Sequence, residues 1–177
     1  MNPSEDDTDP VCLEVLDWVD KFVIKLGLCP FASSARTTGG IRAIATAAMD
    51  IPSLLSGLTF ELELLVRDLD IETTLLIHPG VLTDFEDYND FLDLADGLLQ
   101  NLNLDGELQI ASFHPSYCFA DLKPNDPENL SNRSPYPLLH LLREDSVTRV
   151  IKSHPDIEAI PKNNVALLRQ LRIEGKL

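Results

Sequence analysis

Positive charge is scarce in this chain: 14 lysines and arginines stand against 29 aspartates and glutamates, a formal net charge of −15 over 177 residues. A surface of that sign repels phosphate backbones and anionic lipid, and no basic run supplies a local exception, so neither a nucleic acid nor a membrane is expected as partner. Long apolar runs are missing too; none approaches the roughly 18 residues of a membrane span. The opening MNPSEDDTDP is acidic where a secretory signal is basic and then apolar. The cysteines, Cys12, Cys29 and Cys118, are odd in number, far apart and without a C-x-x-C pair, which speaks against a disulfide framework and against a cysteine-rich zinc module. A reducing, cytoplasmic setting is the expectation. Neither G-x-G-x-x-G nor a phosphate-loop pattern occurs, so no nucleotide cofactor is announced and the cofactor stays unknown.

What the chain does have is 44% hydrophobic residues, enough for one domain with a real core, assigned to residues 11–177 behind a loose acidic tail over 1–10. Val11, Val15, Trp18, Phe22 and Leu26 recur at helical spacing and Gly27 is a plausible stop. LCPFASSAR follows, with Pro30 suited to a first helical turn, then TTGG as a breaker and IRAIATAAM as a short strand. IPSLLSGLTFELELLVRDLD predicts a second long helix, TTLLIHP a buried strand, and LTDFEDYNDFLDLADGLLQNL a helix capped by Thr83 or Asp84. ELQIASFHP is a third strand, followed by a long connection from about Ser116 to Ser134. The remainder predicts helices over SPYPLLHLLRED, SVTRVIKSH and PKNNVALLRQLRI. Alternation of strand and helix implies an α/β fold, a small, mostly parallel sheet of three to four strands with flanking helices; a ferredoxin-like α+β plait is the alternative.

Two strands end in His-Pro. If they run parallel, His78 and His114 share the carboxyl edge of the sheet, where ligands of open α/β sheets gather; either histidine could equally be a half-exposed turn residue. NRSPYPLLHLLRE, residues 132–144, gathers two arginines, a histidine, a tyrosine and two prolines in an otherwise acidic chain. Read as a helix capped by Ser134, it places Tyr136, His140 and Arg143 on one face and leaves free backbone donors beside Asn132 and Arg133, a receiver for a carboxylate or phosphate. His114 or His140 would then move a proton near neutral pH. The competing reading makes the segment a clasp for the long loop, with Arg133 paired to Glu144 or Asp126 and function lying in a protein partner. Cys29, just ahead of Pro30, could be a nucleophile whose thiolate is stabilised by the helix N-terminus and Arg36; a buried, inert thiol is the alternative. Transition-metal or haem binding is a minor third reading, since His114, His140, Cys29 and Asp126 have the right donor atoms but fit no zinc template.

LCPFA, LQIASFHPSYCFAD and NRSPYPLLHLLRED together resemble a bacterial family, domain of unknown function 1415, from about Val11 to Leu171. The positions that match its pattern include Cys29, Pro30, Phe31, His114, Tyr117, Asn129, Asn132, Arg133, Ser134, Tyr136, His140, Arg143 and Glu144. Cys118 and His78 fall outside it. The resemblance implies a cytoplasmic bacterial protein and brings no activity with it. The expectation from residues and resemblance together is a small-molecule enzyme or binding protein, with group transfer or hydrolysis of an anionic metabolite the leading chemistry.

Overall fold

The computed structural model describes residues 9–153 and 159–176, so most of the expected acidic tail and the His154 end of one expected helix lie outside the described residues. Asp9 caps the first helix, its carboxylate accepting from the Val11 amide at 2.7 Å with Pro10 in the first turn. Helix α1 (Pro10–Trp18) widens into a π-helical stretch, Val19–Ile24, and the chain turns at Gly27, whose φ of 67° is the left-handed value glycine tolerates. Then come α2 (Pro30–Thr38), β1 (Ile41–Ala45), α3 (Ile51–Arg67), β2 (Thr73–Ile77), α4 (Phe85–Asn101) and β3 (Leu108–Phe113). Asp84 is the cap of α4, accepting from the Glu86 and Asp87 amides. A 3-10 turn (Pro127–Asn132), β4 (Leu138–Arg143), α5 (Glu144–Ser153) and α6 (Ile160–Ile173) complete the order.

The four strands lie in the order β1-β2-β4-β3. Only β1 and β2 are parallel; β4 runs antiparallel to both neighbours, so the sheet is mixed rather than mostly parallel. Helices cover both faces, unlike the ferredoxin-like plait. On one face α3 and α4 bring Leu54, Leu58, Leu62, Tyr88 and Phe91 onto Leu76, Leu139 and Leu141. On the other, Cys12, Val15 and Val19 pack against Ala43, Leu75, Ile77 and Leu138, and Phe31 and Ala35 against Leu142.

The expected helix opening at Ser134 is not formed. LLHLLR is β4, paired Leu75 to His140 on one side and Ala111 to His140 on the other. A strand buried on both faces shows a continuous apolar run rather than an alternating one, and six such residues suit a strand better than a helix. Consequently Tyr136, His140 and Arg143 do not share a helical face. Leu138, His140 and Leu142 point to the α1/α2 side, and Leu139 and Leu141 to the α3/α4 side.

One ion pair ties strand to helix inside the structure. Arg42 on β1 grips Glu61 on α3 through two bonds, Nε to Oε2 at 2.8 Å and Nη2 to Oε1 at 3.1 Å, and the Glu61 side chain is only 5% exposed.

Candidate functional site

The histidines at the strand ends do meet. β2 and β3 point the same way with β4 between them, and the rings of His78 and His114 lie against the ring of Tyr88, at centroid distances of 5.7 and 5.1 Å. Their nitrogens, however, serve the fold. His114 Nδ1 accepts from the Ser116 amide at 3.0 Å and Nε2 faces the Leu82 carbonyl at 3.3 Å. His78 Nδ1 donates to the Val81 carbonyl at 2.9 Å, while its Nε2 is buried without a partner. Burial lowers both imidazole pKa values, that of His78 to about 4. Tyr88 gives its hydroxyl hydrogen to the Leu138 carbonyl and accepts from the Phe113 amide. This edge is therefore a sealed junction of strand ends.

The polar segment before β4 is similarly occupied. Arg133 donates from Nε to the Tyr117 carbonyl at 3.0 Å and from Nη2 to the Pro124 carbonyl at 2.7 Å, not to Glu144 or Asp126. Asn132 donates to the Ser112 carbonyl, and buried Asn129 holds the Lys123 carbonyl and the Phe119 amide. Ser134, in place of capping a helix, gives its hydroxyl hydrogen to the Tyr136 carbonyl, and the Tyr136 hydroxyl donates to Glu14 on α1. Arg143 satisfies carbonyls at the C-terminal end of α3, bonding Asp68, Leu65 and, from Nε, Ile71. The guanidinium groups expected to receive an anion thus hold backbone carbonyls. Replacing Arg133 by alanine is expected to cost about 1–2 kcal/mol and replacing Arg143 about 2–3 kcal/mol, read from urea midpoints, because part-buried carbonyls, one for Arg133 and three for Arg143, lose charged donors. Unchanged midpoints for both variants would return these arginines to the pool of free cationic groups.

Cys29 and His140 lie elsewhere, and together. A pocket of about 60 Å³ on the α1/α2 side of the sheet is walled by Trp18, Val23, Phe31, Leu75 and Phe113, with Cys29, Thr73 and His140 among its polar side chains. An adjoining hollow of about 340 Å³ shares Cys29, Phe31, Phe113 and His140 and extends under Val147 and Val150 of α5 and Pro161 of α6. A third, of about 440 Å³, again has Cys29 and Phe113 in its wall, with Asn132 and Asn164. Of the expected site residues the structure thus gathers Cys29, His140 and Asn132 around one region; His114, Arg133, Ser134, Tyr136 and Arg143 do not line it.

Local chemistry explains each side chain. Cys29 is the N-cap residue of α2, as its position before Pro30 implies. The Phe31 and Ala32 amides pull its pKa down, but burial outweighs them and the thiol sits above its ordinary value. Arg36 pairs with Asp20 through two bonds. The thiolate expected from the sequence is therefore not what this setting favours. His140 has its Nε2 2.8 Å from the Thr73 hydroxyl oxygen, and that oxygen lies 2.6 Å from the Leu141 carbonyl. Two oxygens so close require a hydrogen between them, so Thr73 donates to Leu141 and accepts from His140. The hydrogen of the neutral ring is then on Nε2 and Nδ1 carries a lone pair. Burial alone lowers the His140 pKa, to about 4, keeping the ring neutral at pH 7.

Thr73, Trp18 and Phe113 were not foreseen as site residues. Thr73 and His140 are 67 positions apart in the chain, and only the pairing of β2 with β4 brings them together. Among the described residues no group of three or more histidine, cysteine, aspartate or glutamate side chains could hold a metal ion, and no helix is long and apolar enough to cross a membrane.

The molecule is thus an α/β protein with a mixed four-stranded sheet and an apolar hollow against one face. A family model described as "Protein of unknown function (DUF1415)" matches residues 11–176, and the chain belongs to that family. No curated protein and no solved structure matches it.

Proposed function

We propose that the protein binds a small, largely apolar molecule in the adjoining hollows between the sheet and α1, its π-helical extension, α2, α5 and α6, with Cys29 and His140 as the polar contacts common to both. The observation that carries this reading is that the two side chains come from segments over 100 residues apart and yet both line the inner pocket and the adjoining hollow. Apolar walls with a few convergent polar groups are the usual composition of a small-molecule site. The anionic metabolite expected from the sequence is not favoured here, since the walls of these two spaces include no lysine or arginine. A cytoplasmic setting accords with three free cysteines.

Thiol accessibility tests the reading. Cys12 is fully buried, whereas Cys29 borders all three hollows. Titration of the folded protein with N-ethylmaleimide at pH 8, followed by peptide mass spectrometry, is expected to modify Cys29 at least about tenfold faster than Cys12, and saturating benzene or indole is expected to slow Cys29 alone. Equal rates for the two thiols, or no protection by either aromatic probe, would remove the hollow as a ligand site.

A further inference from the structure

The ring of His140 in the inner pocket spends only part of its hydrogen-bonding capacity on the fold. Its Nε2–H is spent on Thr73, and the Thr73 hydroxyl is spent on Leu141. Among the described residues Nδ1 makes no hydrogen bond, yet it is not one of the sealed, unpartnered polar atoms, which are Thr74 Oγ1 and His78 Nε2. Nδ1 of His140 is the remaining acceptor of a ring that lines both the inner pocket and the adjoining hollow. An acceptor beside an apolar space is satisfied best by a guest that brings its own donor.

We infer that the ligand of this hollow is an uncharged aromatic molecule with a single hydrogen-bond donor, an O–H or N–H, which it gives to Nδ1 of His140. This rests on the reading of the hollow as a ligand site and adds the chemistry of the guest. Neutrality follows from the walls, since neither the inner pocket nor the adjoining hollow has an aspartate, glutamate, lysine or arginine in its lining and the one imidazole there is neutral at pH 7, and an unpaired charge placed there would lose its hydration without compensation. Aromatic character follows from the rings presented: Phe31 and Phe113 lie 6.5 and 6.1 Å from the His140 ring, and Trp18 meets Phe113 edge-on at 5.8 Å. A volume of about 340 Å³ in the adjoining hollow admits one or two rings, the low end of the roughly 300–1,000 Å³ of ligand pockets. Neutral at pH 7, the imidazole offers the lone pair to every incoming guest.

The test uses the full chain with ring-¹⁵N-labelled histidine at pH 7 and four probes: phenol, anisole, benzoate and benzylamine. Phenol is expected to move the Nδ1 resonance of His140 upfield, and to bind at least about tenfold more tightly than anisole, which has the same ring without the donor. His140→Phe is expected to bring the phenol-to-anisole ratio to about one while anisole still binds. Thr73→Val, which removes the acceptor that fixes the tautomer, is expected to lower the same ratio in a protein whose pocket volume is kept. Anisole binding as well as phenol would overturn the donor contact, and tightest binding by benzoate or benzylamine would overturn the neutral guest; in each case the hollow itself stands. If none of the four shifts His140 or slows alkylation of Cys29, the ligand site falls with the inference.

Discussion

Replacing Arg42 by alanine is expected to destabilise the protein by about 3–5 kcal/mol, because it leaves the Glu61 carboxylate buried on α3 without its two guanidinium bonds. The expected measurement is a large fall in the urea midpoint at pH 7. The double variant Arg42→Met with Glu61→Leu, which removes both charges and fills the space with apolar atoms, is expected to recover most of that loss, since a buried pair roughly offsets its own desolvation. Should the single variant lose less than about 1 kcal/mol, the pair is open to water and does not anchor β1 to α3.

Acid is expected to act through two buried imidazoles. His78 and His140 have pKa values lowered to about 4 by burial, against about 6.5 for an exposed histidine. Between these values the unfolded chain holds protons that the folded chain refuses, so stability is complete above pH 6.5 and falls as pH drops towards 4. Full protonation of the unfolded state costs roughly 3 kcal/mol for each histidine on this count. Protonation of some of the 29 carboxylates relieves repulsion in the same acid range, so the informative quantity is the difference between wild type and His78→Gln or His140→Gln. Each variant is expected to flatten the pH dependence by up to about half, since His114, whose pKa burial also lowers, keeps its own share, with urea midpoints followed through the fluorescence of Trp18, the only tryptophan. An unchanged slope in both variants would mean that these rings are hydrated in the folded state.

Much of the fold is legible from local pattern. The leucine stripe of α3, the Asp84 cap of α4, the strands TTLLI and LQIASF and the turn at Gly27 follow from periodicity, capping and glycine chemistry. Residues 132–144 mislead because two signals coincide. Ser134-Pro135 has the composition of a helix start, and LLHLLR is apolar on both sides, so nothing in its period separates a short central strand from a helix. That substitution of strand for helix moves His140 from a polar helical face to the underside of the sheet and turns Arg143 towards the end of α3. The meeting of His78 and His114 could be foreseen because β2 and β3 point the same way, even though β4 lies between them. The partnership of His140 with Thr73 could not be, since it depends on which strands are neighbours and in which register.

The position of β4 also bears on how the protein comes to be made. Emerging from the ribosome, β1, α3 and β2 can pair as a unit, but β3 has no neighbour in the sheet until residues 138–143 arrive and slip in beside it. Until then two strand flanks stay bare, the situation in which nascent chains stick to one another and in which non-local pairing is slow. A chain halted near residue 137 is therefore expected to be a sticky, chaperone-dependent species, and one lengthened by the next six residues to become resistant to proteases.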